Sequence, residues 1–265
     1  MSEQQLSSRL HDLSQQAFNQ GLVMNTRFLS PAEQSDAEIY LKKIHAPYLL
    51  NGGYKGAERQ ICILLPDGMD AEGAEDAANA ESLFSRGKIG EIISALHLTV
   101  PSRPSLSPPG HRDYLGSLLG LGIERDQLGD ILVDGHAATV LVLARLADFI
   151  LNSLTQVGSL PVQTDLVPLH EIAVPVQSFK TIRITVASLR LDKIISCGFG
   201  LSRTDAVDMI RSGLVQLNWL VELRPDRDVA LGSTLSLRGY GRIRLVREDG
   251  LSRKDRHILI IELFL

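Results

Sequence analysis

Residues 189–244 read LRLDKIISCGFGLSRTDAVDMIRSGLVQLNWLVELRPDRDVALGSTLSLRGYGRIR: two short segments with apolar stripes, then alternating segments that end in arginines. From Arg190 onward, Leu191, Ile194 and Ile195 recur at helical spacing, and Gly198 is expected to close that helix in the left-handed conformation. Ser202 predicts an N-cap with Asp205 three residues on, and Ala206, Val207, Met209 and Ile210 supply a buried stripe that stops at Gly213. Alternation over residues 214–221 predicts a strand, Arg224-Pro225-Asp226-Arg227 a turn, and residues 235–245 a strand broken by glycines. Leu191, Ile195, Ala206, Ile210, Val215 and Leu217 are expected in the core. Phe199 has two readings: packing against Val207 or Met209, or stacking on a base.

Charge separates this stretch from the rest of the chain. Residues 181–247 carry 11 Lys and Arg against 6 Asp and Glu, whereas the remainder carries 16 against 25. The formal charge of −4 over 265 residues conceals a basic module in an acidic body. Affinity for a polyanion comes from local cations that neutralise phosphates, so the module is the expected site of contact with RNA.

The strings RLDK, GF, LSR, IRSG and RGYGRIR, in that order, resemble the S4 RNA-binding domain. The resemblance implies a small α/β module whose two helices and following loop press against structured RNA. On that reading Arg190 and Lys193 share one helix face, while Arg203 and the Ser202 cap present the start of the second helix to the same phosphate backbone. Arg211, Arg224, Arg238, Arg242 and Arg244 extend the basic surface. Asp192, inside the first helix, is expected to pair with a neighbouring basic residue and orient that helix.

At 265 residues and 44% hydrophobic content the chain can bury sizeable cores and is expected to hold two or three domains. Its most apolar run, residues 137–151, is interrupted by Arg145 and Asp148, which argues against membrane insertion. The opening MSEQQLSSRLHDLSQQ has no apolar core of a signal peptide, so a cytoplasmic location is expected. Cys62 and Cys197 lie far apart beside apolar neighbours and are expected as buried free thiols, with no metal site.

Upstream, Leu6, Leu10, Leu13 and Phe18 form the stripe of an opening helix, and Ser30-Pro31 starts another. Asn51-Gly52-Gly53-Tyr54-Lys55-Gly56-Ala57-Glu58-Arg59 precedes a buried strand at 60–65; its glycines lack phosphate-loop spacing and predict a tight turn. Residues 67–82 are acidic and small, expected as a surface loop or frayed helix. Strands at 92–100, 130–133 and 139–142 alternate with helices at 111–123 and 143–154, which fits a compact α/β plait.

FLSPAEQ, NGGYKGAER, HRDYLGSLLGLGIERDQLGDILV, LARLADFILNSLTQVG and SRKDRHILIIEL are similar to segments of the bacterial YlmH family, over nearly the whole chain. The cyanobacterial and plastid branch of that family is known as photosystem II S4 domain proteins, and the chain resembles that branch. The resemblance implies a non-catalytic RNA-binding protein acting on the large ribosomal subunit, with ribosomal RNA and tRNA as partners and no cofactor. The alternative is a photosystem II biogenesis factor that acts mainly through a protein partner. The resemblance also implies RNA binding by the middle region. There, sparse aromatics (5% of the chain) favour phosphate contact over base stacking, with His111, Arg112 and Arg125 as candidates. The bland readings are surface ion pairs for the two arginines and a helix cap for His111.

Enzymatic motifs do not hold together. His111-Arg112-Asp113 lacks the Asn of a kinase catalytic loop, with Leu118 at that position. Arg190-Leu191-Asp192 matches a pseudouridine synthase motif, but it falls inside the first helix of the basic module with no large domain after it. No HIGH-like or KMSKS-like segment of a tyrosyl-tRNA synthetase is present. The expected architecture is α+β and multi-domain: residues 1–88 an N-terminal α/β domain, 89–180 an α/β-plait-like RNA-binding domain, and 181–265 an S4 domain.

Overall fold

The computed structural model describes residues 3–66, 88–102, 107–175 and 179–264. The acidic segment 67–82 lies outside the described residues. The chain is mixed α/β and divides into two compact units, Met1–Pro175 and Val176–Leu265.

The first unit begins with α1 (Glu3–Gln20), β1 (Met24–Leu29), α2 (Pro31–Lys43), β2 (Tyr48–Asn51) and β3 (Gln60–Leu64). Leu6, Leu10 and Leu13 are buried as expected; Phe18 is 62% exposed, and Ala17 takes its place in the stripe. Four residues separate Leu13 from Ala17, one helical turn, whereas Phe18 falls about 100° further round. Ser30 caps α2 through a full capping box with Glu33, and Pro31 follows at the first helical position. The three strands form an antiparallel sheet in the order β1-β3-β2. One face packs on α1 and α2 through Leu29, Cys62 and Leu64.

Next come α3 (Lys88–Ile92), β4 (Ile93–Thr99), α4 (His111–Gly120), β5 (Leu128–Asp134), β6 (Ala137–Leu143), α5 (Ala147–Ser153), the short β7 (Gln156–Val157) and β8 (Leu160–Pro161), and β9 (Gln163–Val167). The four long strands form an antiparallel sheet ordered β5-β6-β4-β9, with a helix between its first and second strands and another between its third and fourth. Leu96, Leu98, Val140 and Val142 pack with Tyr114, Leu118 and Ile150 of the two helices. The opposite face, with Ala95 and Leu141, shares a core with Phe28, Ile61 and Ile63 of the first sheet.

The second unit runs β10 (Phe179–Val186), α6 (Leu191–Phe199), α7 (Arg203–Arg211), β11 (Val215–Leu217), β12 (Leu220–Val221), β13 (Thr234–Leu237), β14 (Gly241–Leu251) and β15 (His257–Phe264). All six strands join one antiparallel sheet in the order β10-β15-β14-β13-β11-β12. Leu191, Ile195, Ala206, Ile210 and Val215 are buried in its core, with Phe199 and Leu217 partly buried against it. Each fully buried aliphatic side chain contributes on the order of 1.5–3 kcal/mol.

Two local expectations are corrected. Gly198 does not close α6. It lies inside the helix, where a Cβ would stand 2.6 Å from Ile243 Cδ1, and Gly200, at φ +68°, makes the left-handed cap. The alternation over 214–221 is a hairpin rather than one strand: Asn218 and Trp219 both take positive φ, 48° and 64°, between β11 and β12. Asn218 tolerates this because its side-chain oxygen accepts the Thr234 N–H at 2.9 Å. Of the two free cysteines, Cys62 is buried as expected, but Cys197 is exposed, on the outer face of α6.

Candidate nucleic-acid interface

A buried carboxylate organises the basic corner of the second unit. Asp192 is only 1% accessible, yet it sits in the first turn of α6, where the helix dipole favours a negative charge. Arg190 reaches it through Nε and Nη2 at 3.0 and 3.2 Å, and Arg203, from the first turn of α7, through Nε and Nη2, both at 3.2 Å. Burial pushes the Asp192 carboxyl up, but the hydrogen bonds and charges of the two guanidinium groups outweigh it and hold the group below the ordinary carboxylate range. The arginines are 35% and 64% exposed, so each keeps an outward edge in solvent while its inner edge is fixed.

Neighbouring groups complete this corner. Lys193 donates to Ser188 Oγ at 3.0 Å. Ser202 Oγ accepts the Asp205 N–H at 3.1 Å and donates to the Asp205 carboxylate at 2.7 Å, so its oxygen serves the helix cap first. The loop after β12 folds over the start of α6: Leu191 and Asp192 donate their N–H groups to the carbonyls of Arg227 and Pro225. That loop brings in Arg224, paired with Glu222 at 3.3 Å. Arg211 and Arg238 are exposed, and Arg238 N–H bonds the Leu214 carbonyl just beyond the end of α7.

Arg242 and Arg244 do not join this corner. Ile243 and Leu245 point into the core beneath the helices, so by the two-residue pleat the arginines face the opposite side of the sheet. There Arg244 pairs with Glu262 at 2.6 Å and lies over Phe179, and Arg242 lies over Phe264. Phe199 packs partly into the core and meets Tyr240 edge-on at 6.3 Å; the exposed ring of that pair is Tyr240.

In the first unit, the turn from Asn51 to Arg59 is fastened to β5. Asp130 accepts the Tyr54 hydroxyl at 2.7 Å, the Glu58 N–H at 2.7 Å and the Arg59 N–H at 3.1 Å. Gly52 has no room for a side chain: a Cβ there would stand 2.3 Å from that of Ala57. Arg125 makes no surface ion pair. It is partly buried and donates to the carbonyls of Leu128 and Gly129 at 2.8 and 3.2 Å. Arg112 is exposed, and among the described residues it has no ion-pair partner. His111 opens α4 but does not cap it; Gly110 is the N-cap, and its N–H bonds the Asp113 carboxylate at 2.8 Å.

Comparison with known proteins decides the kinship. The chain is 31% identical over 231 residues to the "Ribosome-associated protein quality control protein P2" of Bacillus subtilis, covering 87% of this chain and 83% of that one. The chain belongs to the YlmH family. Residues 105–171 match the family model described as "Putative RNA-binding domain in YlmH", which spans α4 through β9 and so includes His111, Arg112 and Arg125. A solved structure, "Cell division protein ylmH from Streptococcus pneumoniae", is 19% identical, with a TM-score of 0.49 over 64% of this chain and 93% of that one. Among the described residues of this YlmH-family chain no helix is long and apolar enough to cross a membrane.

The functional residues that sequence reasoning missed are Arg59 and Asp130, which meet across 71 residues. No periodicity announces such a contact; the hint is that GAER ends on a charged residue just before a buried strand. The opposite-facing placement of Arg242 and Arg244 was signalled, since Ile243 and Leu245 alternate with them.

Proposed function

We propose that this chain is a non-catalytic, cytoplasmic protein that recognises ribosomal RNA and tRNA on the large ribosomal subunit through an S4-type module at residues 181–265. The observation that carries the reading is the pair of arginines fixed on Asp192. Two guanidinium groups, held from one buried carboxylate with outward edges free, form a preorganised grip for adjacent phosphates. Lys193 and Arg224 flank them, and Arg211 and Arg238 extend the contact, whereas Arg242 and Arg244 serve the sheet's other face. The two-helix order and the arginine-bearing strand that follows support the S4 assignment. Family membership and the relative's printed role in ribosome-associated quality control support a ribosomal target. The strand order β5-β6-β4-β9 with its two helices supports an α/β plait at 89–180, and a separate sheet in each of 1–88, 89–180 and 181–265 supports a three-part division.

The test must respect Asp192. Replacing only Arg190 and Arg203 would strand a buried charge, which costs about 3–5 kcal/mol and confuses binding with folding. The triple variant R190A/D192N/R203A removes the charges together. On sucrose gradients the wild type is expected to co-migrate with large subunits in a salt-sensitive manner, and crosslinking with sequencing of bound RNA should recover ribosomal RNA and tRNA. The triple variant should stay near the top, with the log-log salt dependence of RNA binding flattened by roughly 0.7–0.9 per lost contact. Wild-type protein that never co-migrates, at any salt concentration, overturns the ribosomal reading.

A further inference from the structure

Arg59 and Arg125, far apart in the chain, converge on one carbonyl. Arg59 Nε and Arg125 Nη1 both donate to the Leu128 oxygen, at 3.2 and 2.8 Å. A second carbonyl steadies each: Phe28 for Arg59 at 2.9 Å and Gly129 for Arg125 at 3.2 Å. Both groups are partly buried, and among the described residues neither forms an ion pair with a carboxylate.

The acids nearby are engaged elsewhere. Asp130 holds the Tyr54 hydroxyl and two backbone N–H groups, Asp126 pairs with Arg27 at 3.0 Å, and Glu33 closes the capping box of Ser30. Glu58 contributes its charge without a salt bridge to either arginine. Two cations held together away from water repel, and the effect is visible. Burial and then the charge of Arg59 bring Arg125 down to about 10, and burial lowers Arg59. His111, exposed at the start of α4, is lowered by desolvation and then by Arg125, with Asp130 and Glu58 opposing. An anion at this point would relieve the repulsion and accept the guanidinium N–H groups that the carbonyls leave over.

We propose that Arg59 and Arg125, with His111 at the rim, bind a phosphodiester group of RNA, making the first unit a second point of RNA contact. This deepens the function proposed above and rests on it for the identity of the ligand. Arg59 becomes an RNA-contacting residue, and the NGGYKGAER turn becomes the device that presents it. Monodentate contacts from two arginines to one phosphate suit recognition of backbone position rather than of sequence.

Full-length H111E tests this directly. It sets a carboxylate beside the arginine pair from an exposed position, competes with phosphate, and disturbs no core side chain. RNA affinity is expected to fall about three- to ten-fold, with the salt slope flattened by roughly 0.7–0.9, and the thermal midpoint to stay level or rise. R125Q should match the binding loss; should R125Q prove unstable, H111E still decides. A folded H111E variant with unchanged affinity and slope overturns the site. Inorganic phosphate at constant ionic strength separates the sources: if it raises the wild-type midpoint while H111E leaves RNA binding untouched, the pair binds free phosphate and the RNA assignment fails. R190A/D192N/R203A, run in parallel, keeps the two proposals apart. Loss of binding there alone removes only this site, whereas no loss in either variant removes the function itself.

Discussion

Asp192 and Asp130 do opposite things with arginine. Asp192 takes two guanidinium groups directly and leaves their outer edges in water, whereas Asp130 takes a tyrosine hydroxyl and two backbone N–H groups, leaving Arg59 and Arg125 to rest on carbonyls. In the second unit the carboxylate neutralises and aims its arginines. In the first it anchors the loop that carries Arg59 and does not ion-pair with the arginines. A carboxylate near a cationic cluster therefore does not predict a neutral cluster; what decides is which donors reach its oxygens first.

The largest expected effect is from Asp192→Ala. Losing a carboxylate that is 1% accessible and holds two arginines should destabilise the second unit by about 3 kcal/mol in urea denaturation, toward the lower end for broken buried pairs because the arginines recover solvation. RNA affinity should fall with it. A loss under about 1 kcal/mol would mean that the pairs are loose and that the contrast with Asp130 is one of degree.

Asp130→Ala should cost about 2 kcal/mol, because it leaves the N–H groups of Glu58 and Arg59 to find new acceptors. The Asn51–Arg59 turn should lose hydrogen-exchange protection while β10 through β15 retain theirs. Loosening of both units together would break the picture of two local devices.

A pH series sharpens the same contrast. The Asp192 carboxyl is lowered in the folded chain, so its contribution to stability is complete above the ordinary carboxylate value of 3.8 and is lost as pH falls through the lower, folded value. The stability gap between wild type and Asp192→Asn should be constant at neutral pH and close in acid. A gap that widened in acid would reverse the sign of the coupling.

Tyr54→Phe is the mildest change. It removes one of three donors to Asp130 and should cost about 1 kcal/mol. Because burial and the Asp130 charge raise the phenol pKa well above its ordinary value, Tyr54 should show no phenolate absorbance in the folded protein through pH 11. Early ionisation would place the ring outside the network.

What could be read in the sequence was local. Ser30 with Glu33, and Ser202 with Asp205, are caps three residues apart, and both stand as expected because the physics is contained within one turn. Gly198 misled because two glycines flank Phe199, and only packing against Ile243 tells which one turns the chain. The Asp192 corner was half visible: Arg190 lies two residues away, but Arg203 arrives only because α7 folds back on α6. The Arg59–Arg125 pair was invisible, since it depends on where two distant turns meet a third backbone.

The strand β15 follows every other strand of its sheet in the chain, yet it lies second in the sheet, between β10 and β14. Until residues 257–264 are available, β10 has no strand to bond and β14 has an open edge. Assembly of the module thus waits on contacts that close a loop of some eighty residues, from Phe179 paired with Phe264 to Val186 paired with His257. Such non-local closure is slow compared with forming α6 and α7. An RNA grip made by those helices would therefore become rigid only when the farthest strand has locked in, so a chain cut before His257 should carry the arginines without the affinity.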